Sequence, residues 1–75
     1  MPRVNPVTAH AKLPGGYTAR ELVQCAAREV ALRRRVYPNR VITGRMSQKQ
    51  ADAEIDKMDA IAALLAEIED RERLL

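Results

Sequence analysis

The sequence predicts an all-α protein: an antiparallel helical hairpin with a short helical turn at its corner and an irregular N-terminal arm. Three observations carry this expectation. The chain has no Phe or Trp and only two Tyr, so its apolar content rests on Ala, Leu, Val, Ile and Met, a helix-forming palette. Two capping boxes, Thr18 with Glu21 and Ser47 with Gln50, announce two helix starts. After each, apolar residues recur at the three- and four-residue spacing of a helix face.

The elements follow in order. Residues 1–16, "MPRVNPVTAHAKLPGG", hold three of the four prolines and two of the three glycines, and read as a flexible arm preceding a single hairpin domain over 17–75. The first helix is expected over about 18–37, with Pro38 stopping it because proline has no N–H to donate and crowds the preceding turn. "PNRVIT" then suits a short helical turn, closed by Gly44 in a left-handed cap. The second helix is expected over 47–75, where no breaker intervenes. At 1.5 Å per residue it spans roughly 42 Å against roughly 30 Å for the first, so it is expected to overhang.

Projection at 100° per residue gives each helix its faces. In the second helix Ala51, Ile55, Met58, Ala62 and Leu65 form a coiled-coil-like stripe that Ile61, Ile68 and Leu75 continue. In the first, Ala19, Val23, Ala26, Val30 and Tyr37 make one stripe, and Leu22, Cys25, Leu32 and Val36 a second beside it. One partner helix cannot cover both. Leu22, Leu32, Val36, Ile68 and Leu75 are therefore candidates for an apolar interface, with a homodimer in a four-helix arrangement as the favoured way to cover them. Val4, Val7 and Leu13 of the arm are the alternative cover. Cys25, on an apolar stripe, is expected to be buried and slow to react.

Composition narrows the function. Seventy-five residues make one small domain with a marginal core. A lone cysteine and a lone histidine give neither an internal disulfide nor a metal ligand set, and no cofactor is indicated. The longest apolar run, "AIAALLA" at 60–66, is too short to span a bilayer, and the N-terminus lacks an apolar leader. A cytoplasmic protein with no membrane partner is expected. No nucleophile elbow, phosphate loop or small-molecule pocket signature is present, so an enzyme is not expected.

Charge is divided along the chain. Residues 1–46 carry nine Lys/Arg against two acids, a net of +7, whereas residues 47–75 carry four against eight, a net of −4. Arg33, Arg34, Arg35, Arg40 and Arg45 cluster with Tyr37 at the corner. They suit contact with phosphate or with an acidic partner, Tyr37 supplying a stacking face. They suit a structural corner better, where cations favour a helix C-terminus and pair with the acids of the second helix, Asp52, Asp56, Asp59, Glu67 and Asp70.

The stretch "RRRVYPNRVITGRMSQKQADAEIDKMDAI", residues 33–61, resembles small proteins encoded by tailed bacteriophages and prophages. The likeness lies in the basic run leading to "VYP", the "GRM" before the second helix, and the spacing of Ala51, Asp52, Glu54 and Ile55. The resemblance implies a phage context and the cytoplasm of a bacterial host; it carries no mechanism and no site residue. The expectation that results is a non-enzymatic accessory or adaptor protein that binds a protein partner, itself included. The alternative is a nucleic-acid-binding protein that uses the corner arginines.

Overall fold

The computed structural model describes residues 13–73, and among them it is all-helical. The first twelve residues of the arm and Leu74 and Leu75 lie outside the described residues. Leu13–Tyr17 form a tight loop around the 3₁₀ turn Pro14–Gly16, tied by Leu13 N–H to the Tyr17 carbonyl at 2.8 Å and Gly16 N–H to the Leu13 carbonyl at 2.9 Å. Two helices follow, α1 (Ala19–Ile42) and α2 (Gln48–Arg73), and they pack against each other as an antiparallel hairpin.

Both predicted capping boxes form. Thr18 Oγ1 accepts from the Glu21 N–H at 3.1 Å, and Glu21 Oε1 accepts from the Thr18 N–H at 2.9 Å. Ser47 Oγ accepts from the Gln50 N–H at 3.0 Å, and Gln50 Oε1 accepts from the Ser47 N–H at 2.9 Å. Each box satisfies two N–H groups that a helix start leaves without a carbonyl.

Pro38 does not end α1, which runs on to Ile42 and absorbs the short turn expected at the corner. Proline removes one bond, to the Arg34 carbonyl, and crowds that turn. Pro38 and Arg34 are both exposed, so water has access to the carbonyl left over. The real stop lies at the glycine. Gly44, at φ +76°, donates to the Val41 carbonyl at 3.1 Å while Arg45 donates to the Arg40 carbonyl at 2.9 Å, the paired bonds of a Schellman cap. Because α1 continues through Pro38, its 24 residues nearly match the 26 of α2, and among the described residues the expected difference in length shrinks to two residues.

The seam follows alternating four- and three-residue steps. On α2 it runs Ala51, Ile55, Met58, Ala62, Leu65, Glu69, Glu72; on α1 it runs Ala19, Val23, Ala26, Val30, Arg33, Tyr37. All are buried or half-buried. Among the described residues the buried apolar ones are few and small: Ala19, Ala26, Val30 and Ala51. The alanines let the helices approach closely, and no side chain larger than valine is buried among the described residues. Ile61, expected on the stripe, is 48% exposed beside it.

Candidate functional site

Two features of the hairpin can meet a partner: the arginine corner and the apolar flank. Their side chains are set by where each residue falls around its helix.

The five corner arginines do not form one surface. Arg33 occupies a seam position that the apolar projection passed over. Its Nε donates to Glu29 Oε1 at 3.0 Å, and its Nη1 donates across the seam to the Glu54 carbonyl at 3.2 Å and lies 3.6 Å from Glu54 Oε1. Lys57 Nζ, at 2.8 Å from Glu54 Oε2, completes a four-residue chain of alternating charge. The hydrogen bond with Glu29 holds the Arg33 pKa above its ordinary value. The hydrogen bond from Lys57, with that cation's charge and the weaker pull of Arg33, holds the Glu54 carboxyl below its ordinary value of 4.5. Arg34 pairs with Asp59 on the other side of the seam. Arg35, Arg40 and Arg45 have no carboxylate partner among the described residues. Arg35 and Arg40 stand five residues apart, about 140° around the helix, so they face different directions.

Tyr37 is half-buried, with the Arg33 guanidinium 6.0 Å and the Arg40 guanidinium 5.5 Å from its ring centre. Its ring is engaged by this chain's own cations, an arrangement that stabilises the corner. A second cationic feature went unread in the sequence. Arg45, Lys49 and Lys57 line a groove of about 460 Å³ with Met46, Gln50, Ala53 and Glu54. Lys49 and Lys57, eight residues and about 80° apart, fall toward one side of α2, and Arg45 reaches the same groove from the connection before the helix.

The second stripe of α1 is left largely open. Leu22 and Val36 are half-buried, Leu32 is 42% exposed, and Cys25 is exposed rather than buried. The reason is geometric. These four residues fall within an arc of about 80° beside the seam, and α2 covers only the seam. On α2, Ile61, Leu64 and Ile68 fall within an arc of about 60° on the corresponding side. Ile61 and Leu64 are 48% and 55% exposed, and Ile68 is half-buried. Leu75, predicted with them, lies outside the described residues.

Cross-helix pairs fix which sides correspond. Arg33 and Glu54 meet on the side of these apolar residues, whereas Arg34 and Asp59 meet on the opposite one. Leu22, Cys25, Leu32 and Val36 of α1 thus share one flank of the hairpin with Ile61, Leu64 and Ile68 of α2. Shallow grooves run along it: one of about 550 Å³ lined by Tyr17, Leu22, Cys25 and Arg28 among others, and one of about 240 Å³ lined by Leu32, Val36, Tyr37 and Arg40 among others. The opposite flank carries Arg20, Arg34 and Arg35 on α1 and Asp52, Asp56, Asp59 and Asp70 on α2. It is tied by Arg34–Asp59 and by Arg20 Nη1 to Glu69 Oε2 at 3.7 Å.

Among the described residues no three His, Cys, Asp or Glu side chains are grouped to hold a metal ion, and no helix is long and apolar enough to cross a membrane. No family model matches the chain, and no match is found among curated proteins or solved structures.

Proposed function

We propose that this protein is a small accessory or adaptor protein of phage or prophage type that works without catalysing a reaction, by binding another macromolecule through its helical surfaces in the host cytoplasm. The single observation that carries the reading is the apolar flank, where seven residues from two helices lie side by side with Leu32, Ile61 and Leu64 each more than two-fifths exposed. Leucine and isoleucine side chains left about half exposed each forgo roughly half of the about 1.5–3 kcal/mol that full burial provides, so such a flank favours a covering partner. The phage setting rests on the resemblance of residues 33–61 alone. The test is affinity capture by the tagged full chain in phage-infected or lysogenic cells, with and without nuclease. A defined protein retained after nuclease treatment is the expected result; an empty bait, or capture that vanishes with nuclease, would overturn the reading.

One observation favours a second reading, binding of nucleic acid. Arg45, Lys49 and Lys57 share a groove that contains a single carboxylate, and Arg35 and Arg40 add cations with no carboxylate partner among the described residues. Phosphate contact predicts affinity for a labelled oligonucleotide that falls steeply with salt, with Arg45→Ala plus Lys49→Ala flattening the slope by about two charges. No shift of the oligonucleotide at low salt removes this reading.

A further inference from the structure

We propose that the occupant of the apolar flank is a second copy of this chain, packed flank to flank into a four-helix bundle. The inference rests on reading that flank as a docking surface, and it names what docks there.

Thinness of the seam is the first argument. With only Ala19, Ala26, Val30 and Ala51 buried and the rest of the seam half-buried, the single hairpin has a small core of the kind that a second copy enlarges. A second copy is present wherever the chain is, so this cover needs no further component.

Area is the second. Helices of 24 and 26 residues run roughly 36–39 Å, and two packed at an 8–10 Å separation present a flank roughly 18 Å wide. That is about 700 Å² per copy, close to the roughly 800 Å² per partner of a standard stable interface.

Composition of the flank is the third. A second copy brings the same seven apolar side chains to meet these seven. The arm, the alternative cover, brings Met1, Val4, Val7 and Leu13 beyond its alanines and prolines, against the seven apolar side chains of a second copy. Of the acids that border the flank, Glu29 is paired with Arg33, Glu54 with Arg33 and Lys57, and Glu21 accepts from Thr18 in the capping box, while Arg28 and Arg40 bring cations to its rim.

The test measures two properties of the full chain over a range of concentrations: mass by sedimentation velocity, and the alkylation rate of Cys25, which is exposed in a single hairpin and lies within the proposed contact. The expected result is a doubled mass, with Cys25 labelling slowed about tenfold or more as the dimer fills. Leu64→Glu, at a site 55% exposed in the single hairpin, should raise the dissociation constant about a hundredfold or more. Ile42→Glu, on the opposite side and 83% exposed, should leave it unchanged. If Leu64→Glu fails to fold, a wild-type melting temperature that rises with protein concentration still supports the dimer.

Three results overturn the proposal. A monomer at every concentration with fast Cys25 labelling refutes the dimer and leaves the flank open for a different protein, so the adaptor reading survives. A monomer with slow labelling throughout means that the chain covers its own flank, and both readings fail. A dimer with fast labelling and no response to Leu64→Glu places the contact elsewhere.

Discussion

On one flank of the hairpin, Arg34 meets Asp59 and Arg20 meets Glu69, and the charges that remain face water. On the other, Leu32, Ile61 and Leu64 face outward, and the cross-helix tie is the Glu29–Arg33–Glu54–Lys57 chain at the corner end. The two flanks are built on the same seam and share its geometry, yet they differ in what they require. Exposed ions are already solvated, and each pair adds little. Exposed aliphatic side chains are not, and covering them is favourable in proportion to area. The charged flank therefore steers which way α1 and α2 pair, and the apolar flank determines what else the hairpin meets.

The comparison is broken most severely by destroying the seam that both flanks share. Val30 is 8% exposed at its middle, and Val30→Asp places a carboxylate there without a partner. A loss on the order of 3–5 kcal/mol is expected, enough to abolish cooperative melting of the helical circular-dichroism signal. The flanks are separated by Arg34→Ala, which removes one tie from the charged side. Urea titration should show a loss of at most about 1 kcal/mol that shrinks with added salt, with no change in sedimenting mass. The smallest effect belongs to the corner cluster. Because the Glu54 carboxyl is held below its ordinary value of 4.5, its stabilising contribution is complete above that value and is lost as the pH falls through the lowered one. The melting midpoint should therefore drop on acidification from about pH 5 toward pH 3, and Glu54→Gln should flatten that drop. A midpoint equally steep in the variant assigns the acid sensitivity to other carboxylates.

Both helix starts and the α2 stripe were legible because they depend on local spacing: a hydroxyl three residues from a carboxylate or an amide, and apolar residues at four and three. What was not legible depended on the energetic context of single residues. A mid-helix proline reads as a stop because it removes one bond and crowds the preceding turn, whereas on the exposed side of α1 water can replace that bond and the helix continues. Arg33 was assigned to the outer corner because a charge is left out of an apolar projection, yet its long stem reaches along the seam and its head finds carboxylates and a carbonyl at the margin. Cys25 was correctly placed on the second stripe of α1 but wrongly expected to be covered. A stripe records which way a residue faces, and covering it takes an element that this chain's α2 does not supply. Lys49 and Lys57 share one side of α2 by their eight-residue spacing, but that Arg45 joins them depends on the path of the connection, which local spacing does not encode.

The alternation of four- and three-residue steps has a consequence for how the gene can change length. On α2 the seam positions Ala62, Leu65 and Glu69 are each preceded by a flank residue, Ile61, Leu64 and Ile68. Inserting one residue just before Ile61 advances everything after it by about 100°, which turns those three flank residues into the seam. The inserted frame has a more apolar seam than the native one, and its outward face has lost Ile61, Leu64 and Ile68. A single-codon insertion there would thus trade the binding surface for a better-filled hairpin, whereas a seven-residue insertion, shifting the phase by only about 20°, would preserve both. Among relatives of this chain, length differences within α2 should accordingly come in steps that keep the phase, such as about seven or eleven residues, each a shift of about 20°.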